Sequence, residues 1–116
     1  MHGYGVLYYP SGSVAYEGEW REDEFNGKGT VYNDQQGQLA GSFDFTDFNQ
    51  IDDEWVKYEG DLQHDAKEGH GRLYLTNGEA YEGQFSKDMV HGEGTFFSGK
   101  TQKRGIWEFG KLKKLL

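Results

Sequence analysis

The chain contains no cysteine and a single proline, Pro10. Without cysteine there is no disulfide framework and no thiolate metal centre, which fits a reducing compartment. Only 34% of its residues are apolar, and no run approaches the roughly 20 apolar residues that a membrane-spanning helix requires. The first residues, "MHGYGVLYYPSG", have neither the basic start nor the apolar stretch of a signal peptide. A soluble, cytoplasmic protein is expected. Bases are also scarce: 12 Lys and Arg stand against 20 Asp and Glu, and six of those bases fall in the last 17 residues beside Glu108 alone. The rest of the chain is strongly acidic. Such a body repels nucleic acid and anionic headgroups at long range, so nucleic acid is not an expected partner.

What the chain does have is glycine (18 of 116 residues) and aromatic side chains (16%). The two occur together in a pattern that repeats. "YEGQFSKDMVHGEGTFF" begins at Tyr81, "YEGDLQHDAKEGHGRLY" at Tyr58 and "YEGEWREDEFNGKGTVY" at Tyr16. Tyr81 follows Tyr58 by 23 residues, and the glycines stand in register: Gly18, Gly27 and Gly29; Gly60, Gly69 and Gly71; Gly83, Gly92 and Gly94. "HGYGVLY" at His2 is the back half of a further copy, and "GIWEFG" at Gly105 resembles a front half without its Tyr-Glu pair. A fixed period of this length marks a stacked repeat architecture. The expected boundaries are a partial repeat over 2–15, repeats over 16–38, 58–80 and 81–104, a degenerate repeat or insertion over 39–57, and a partial repeat with a basic C-terminal cap over 105–116.

Strand alternation puts Tyr16, Gly18 and Trp20 on one face and Glu17 and Glu19 on the other. A bare glycine between two aromatics lets a ring from a neighbouring strand lie on the backbone. Polar stretches such as "REDEF" and "SKDMV" read as hairpin loops, with the second strand starting at the Gly-x-Gly. An aromatic recurs three residues after the second glycine, at Tyr8, Tyr32, Tyr74 and Phe97. Helix is disfavoured, since each glycine costs about 1 kcal/mol relative to alanine. The fold expected is all-β: a single antiparallel meander of stacked hairpins, about nine or ten strands long, with a short cap.

"YEGEW", "YEGQF" and "HGEG" resemble the membrane occupation and recognition nexus (MORN) repeat, Tyr-Glu-Gly-x-Trp/Phe followed by His/Asn-Gly-x-Gly in 23-residue units. The likeness runs from Gly3 to about Trp107 and breaks at "LAGSFDFTDFNQIDDEWV" (39–56), which lacks the Gly-x-Gly. The resemblance implies an elongated, twisted sheet. It also implies a role as an organiser in cytoskeletal, ciliary or membrane-contact assemblies, often self-associating.

The residues themselves speak against catalysis. His91, Asn26 and Glu68 occupy one slot of the repeat, which implies a turn or edge hydrogen bond rather than metal ligation. "GKGT" at Gly27 lacks the following helix of a phosphate loop. No Ser-His-Asp or Cys-His set is visible, so no enzyme, cofactor or metal is expected.

Three surfaces are candidates for partner proteins. The first is the aromatic stripe of Tyr16, Trp20, Tyr32, Tyr58, Tyr74, Tyr81, Phe85, Phe97 and Trp107. A one-layer sheet cannot cover such a stripe by itself, so either it curls over its own rings or a partner covers them. The second is an acidic loop with Phe48, Asp52, Asp53 and Trp55, which either docks into a basic groove or covers one end of the sheet. The third is the tail "GKLKKLL", whose Lys111, Lys113 and Lys114 surround Leu112, Leu115 and Leu116 on one helical face; it reads as a cap or a weak membrane contact. The expected function is a non-enzymatic scaffold joining proteins in a larger assembly, cytoskeletal or ciliary, with head-to-tail self-association possible through the two half-repeats. The alternatives are a peripheral phosphoinositide-binding module, which the acidic body disfavours, and a regulatory repeat domain of a larger protein.

Overall fold

The computed structural model describes residues 2–116. Among them are nine strands: β1 (Gly3–Tyr8), β2 (Val14–Arg21), β3 (Glu24–Tyr32), β4 (Trp55–Gln63), β5 (Ala66–Leu75), β6 (Ala80–Ser86), β7 (Met89–Ser98), β8 (Thr101–Glu108) and β9 (Lys111–Leu115). They form one antiparallel sheet in which spatial order equals chain order. At about 4.8 Å per strand, nine strands account for the longest dimension of 41 Å. The expected meander is what forms.

One transverse line organises it. Gly5, Gly18, Gly29, Gly60, Gly71, Gly83, Gly94 and Gly105 face one another across eight successive strands. The next line on the inner face runs Leu7, Tyr16, Val31, Tyr58, Leu73, Tyr81 and Phe96. Each repeat tyrosine folds its ring over the glycine line and donates its hydroxyl to a carbonyl three residues on: Tyr16 to Glu19 (2.7 Å), Tyr58 to Asp61 (2.7 Å), Tyr81 to Gln84 (3.0 Å). A β-carbon on Gly29, Gly71 or Gly94 would run into the ring of Tyr16, Tyr58 or Tyr81. One on Gly18, Gly60 or Gly83 would meet the α-carbon of the glycine opposite. The glycines are sockets, and burial of the plugs raises the phenol pKa values, that of Tyr16 to about 12.

Two local expectations are corrected. The second strand does not start at the Gly-x-Gly; it starts earlier, at Glu24, Ala66 and Met89. The first glycine of each motif (Gly27, Gly69, Gly92) has φ between +91° and +106°, inside a bulge where pairing slips by two residues. The N–H groups freed there go to side chains of the opposite strand: Lys28 to Glu19, His70 to Asp61 (3.0 Å), Glu93 to Gln84 (3.2 Å). The hairpin loops also shrink to two residues each, Glu22-Asp23, His64-Asp65 and Lys87-Asp88, all with positive φ, as a type I′ turn requires.

The turn aspartates then fasten hairpin to hairpin. Asp65 donates its N–H to Phe25 O (3.0 Å) and accepts from Phe25 N–H (2.7 Å). Asp88 does the same with Lys67 (3.0 and 2.9 Å). Asp65→Ala loses a charged acceptor and places alanine in a left-handed conformation. It should cost about 1–3 kcal/mol in chemical denaturation, whereas Asp65→Asn, which tolerates that conformation, should cost less.

The segment 39–57 is not a repeat. β3 pairs with β4 in the register of consecutive units, Gly29 with Gly60 and Val31 with Tyr58, so the lattice continues as though the residues between were absent. Residues 33–54 instead cross the inner face. Phe43 and Phe48 are buried there, and Leu39, Phe45 and Ile51 pack against the same core. Phe48 opens a short 3-10 turn, Phe48–Gln50, capped by the Asp47 side chain.

Glu79 anchors this crossing segment. Its side chain, only 5% exposed, accepts from Phe43 N–H (2.7 Å), Asn77 Nδ2 (2.6 Å) and the Ser98 hydroxyl. Burial alone would raise its pKa; the bonds from Phe43, Ser98, Asn77 and Ser42 outweigh burial and lower it from 4.5. A depressed carboxylate pKa contributes stability above the unfolded value, lost as pH falls through the folded one. Amide exchange at Phe43 should therefore accelerate as pH drops below about 4.5, beyond the intrinsic rate change. In Glu79→Gln that extra acceleration should vanish.

The tail is corrected as well. Lys111–Leu115 is a strand, not a helical turn. An isolated helical turn is unstable in water, whereas β8 offers an open row of backbone groups to pair with. Leu112 lies opposite Trp107, packs on the core and donates its N–H to Thr46 O (2.8 Å). The chain from 105 onward thus helps build a fourth hairpin, β8–β9, turning at Phe109-Gly110.

Candidate interaction surfaces

The nine aromatics of the stripe fall on two faces. Tyr16, Tyr58, Tyr81, Phe85 and Trp107 are buried in the inner core, with Trp20 packed against it. Phe25 stacks on Tyr16 with centroids 3.9 Å apart, and the crossing segment covers Tyr81 and Trp107. Phe48 meets Tyr81, Phe96 and Trp107 with ring centroids 5.3 to 6.0 Å apart, and Trp107 Nε1 donates to Phe45 O (2.7 Å). These residues, Phe48 included, are therefore core rather than partner surface. The cover over Tyr81 and Trp107 comes neither from curling of the sheet nor from a partner but from the chain's own inserted segment.

Tyr32, Tyr74 and Phe97 lie on the outer face and are half-buried. They share a transverse line with Lys57, Ala80 and Gln102. The neighbouring line runs Glu17, Thr30, Glu59, Arg72, Glu82, Thr95 and Arg104. The two lines interlock. Tyr74 donates to Glu59 (2.7 Å), and that bond raises its pKa. Arg72 binds Glu82 at 2.7 Å, which lowers the Glu82 pKa. The Arg72 guanidinium lies 5.2 Å from the Tyr74 ring and 4.7 Å from Phe97, with Lys57 Nζ 4.9 Å from Tyr74. The signal for this split was in the spacing: the first tyrosine precedes its glycine by two, while Tyr32, Tyr74 and Phe97 follow theirs by three. An even offset keeps the face and an odd one changes it.

In the acidic loop, Asp52 and Asp53 are exposed, while Trp55 belongs to β4 and is half-buried. Carboxylate oxygens of Asp52, Asp53 and Glu54 lie within 4.8 Å of one another. Ile51 and Trp55, on either side of that cluster, help line a cavity of about 240 Å³ with Phe48, Asn49, Lys67, Leu73, Phe85, Asp88, Met89 and Val90. Nothing in the sequence pointed to it, because its walls come from three separated segments.

The basic tail is dispersed. Lys113 pairs with Glu108 (3.2 Å) and Arg104 with Glu93 (3.1 Å), while Lys111 and Lys114 are exposed on β9. The slot shared by Asn26, Glu68 and His91 does supply tip hydrogen bonds: Glu68 accepts from Lys87 N–H (2.8 Å) and His91 Nδ1 from Phe109 N–H (3.1 Å). No helix among the described residues is long and apolar enough to cross a membrane.

Hairpins of one design, joined edge to edge into a single open sheet, define a repeat-built β protein. The sequence matches the MORN repeat over residues 1–14, 16–35, 58–80 and 81–100. That is about two thirds of its length, and the chain belongs to the MORN-repeat family. Such repeats occur in protein-interaction and membrane-binding modules, and the family is generally non-enzymatic.

Proposed function

We infer that this chain is a non-enzymatic scaffold that joins other proteins in a larger assembly, with the outer face as its main contact surface. The observation that carries this reading is the line of Tyr32, Tyr74 and Phe97, half-buried on the outer face, with Tyr74 and Phe97 held in place by Lys57, Glu59 and Arg72. Aromatic and arginine side chains already fixed in position lose little entropy on binding and dominate protein contacts energetically. The family resemblance supports an assembly of cytoskeletal or ciliary type, in the cytoplasm. The same acidic body that repels nucleic acid also disfavours anionic lipid.

A photo-crosslinking residue placed at Tyr74 or Phe97 and activated in the cell of origin should trap a defined set of proteins. The same probe at an exposed turn such as Lys100 should not. Equal yields at both sites, or lipid adducts alone, would overturn the reading. Head-to-tail pairing belongs to the same proposal, through the open edge of β1, where Tyr4 and Tyr8 are 70% and 60% exposed, and the basic edge of β9. Sedimentation equilibrium that finds only monomer at high concentration would remove it.

A further inference from the structure

We propose that the cavity between the crossing segment and the β6–β7 tip is a second, separate binding site, which receives one large apolar side chain from a basic segment of a partner protein.

Three observations favour this occupant. The first is size. A dry cavity of about 150 Å³ accommodates benzene, while pockets for metabolites and cofactors usually run about 300–1,000 Å³. At about 240 Å³, this one holds a phenylalanine-sized group and little more. The second is lining. Ile51, Trp55, Leu73, Phe85, Met89 and Val90 supply apolar walls. The lysine in the wall is already satisfied: Lys67 Nζ sits 3.2 Å from Asp88 Oδ1 and 5.6 Å from each of the Trp55 and Tyr58 rings. It offers no free charge to an anionic ligand.

The third is the charge carried by the segment that forms one wall. Between the lining residues Ile51 and Trp55 stand Asp52, Asp53 and Glu54, their carboxylates within 4.8 Å of one another. Among the described residues no basic group forms an ion pair with them. Lysines or arginines flanking an apolar anchor would relieve that repulsion, whereas an acidic segment or an anionic membrane would increase it. The site rests on the reading of the chain as an interaction module, yet it is distinct from the outer face. It exists because residues 33–54 cross the sheet.

The test is NMR titration of the full chain with three short synthetic peptides: Lys-Arg-Phe-Arg-Lys, the same peptide with alanine in place of phenylalanine, and Glu-Glu-Phe-Glu-Glu. The first should shift the methyl signals of Ile51, Met89 and Val90 and the indole signal of Trp55, saturably. The other two should bind about tenfold more weakly or less, as loss of a buried anchor or of charge attraction implies. Replacing exposed Asp52 and Asp53 together by lysine should reduce the preference for basic flanks and leave the Gly71 and Tyr58 signals in place. Three results would overturn the proposal: equal affinity for the alanine peptide, equal affinity for the acidic peptide, or no saturable shift at the cavity. If the cavity stays silent while crosslinks form at Tyr74, this site fails and the scaffold reading survives. If both are silent, the scaffold reading fails with it.

Discussion

Gly71→Ala should lower the melting temperature by about 10 °C or more, although it adds a single methyl group to a strand. Gly71 has no unusual backbone requirement, since its φ is not positive. The whole effect is therefore steric. The new β-carbon would overlap the ring of Tyr58, which is fully buried and hydrogen-bonded to Asp61 O. The ring cannot withdraw, because Phe85 packs edge-on against it with centroids 5.0 Å apart. Overpacking of a tight core costs about 1–3 kcal/mol and sometimes more, and for a domain of this size each kcal/mol is worth about 4 °C or more. Pairing the change with Tyr58→Leu should recover part of the loss, which a general preference for glycine in turns would not explain. Gly83→Val and Gly60→Val should be at least as damaging, because the facing glycine backbone blocks them. Melting curves for these variants and the double mutant check the prediction. Unchanged melting in Gly71→Ala would mean that the sockets are not occupied.

Phe48→Ala should cost about 3–5 kcal/mol if the crossing segment and sheet unfold as one unit. The side chain lies at the meeting point of Phe43, Tyr81, Phe96 and Trp107, and its backbone N–H donates to Gly110 O (2.7 Å). Losing it removes the central ring contact between the crossing segment and the last two hairpins, leaving the bonds from Trp107 Nε1 to Phe45 O and from Leu112 N–H to Thr46 O. Hydrogen exchange distinguishes two ways the loss can appear. Faster exchange confined to residues 39–54 and the β8–β9 turn would show the segment lifting from an intact sheet. Faster exchange throughout would show a single cooperative unit. In either case Tyr81 and Trp107 become accessible, so binding of a dye specific for exposed apolar surface should rise. A variant that kept wild-type stability and bound no dye would contradict the packing.

These two substitutions also separate what could be read along the chain from what could not. Tyr58, Gly60 and Gly71 recur at fixed spacing, and period-two alternation alone places them on one face, so the meander and its sockets were legible from the sequence. The Tyr74 and Phe97 line was legible in the same way, since an odd offset from the glycine turns it to the face opposite the inner rings. Asp65 and Asp88 were present in every full copy as the second residue of a tight turn, but their bonds to Phe25 and Lys67 join neighbouring repeats and have no signature within one.

Sequence by itself determined the repeat, the all-β class and the glycine line, because each follows from residue type and local spacing. Tertiary structure alone decided that Phe43, Phe45 and Phe48 cover the inner face, that the tail becomes a ninth strand and that a cavity opens beside Trp55. The physical reason is that these outcomes depend on which exposed apolar surface or unpaired edge lies within reach after the hairpins stack. A segment with no partner of its own period is placed by what the rest of the chain leaves uncovered.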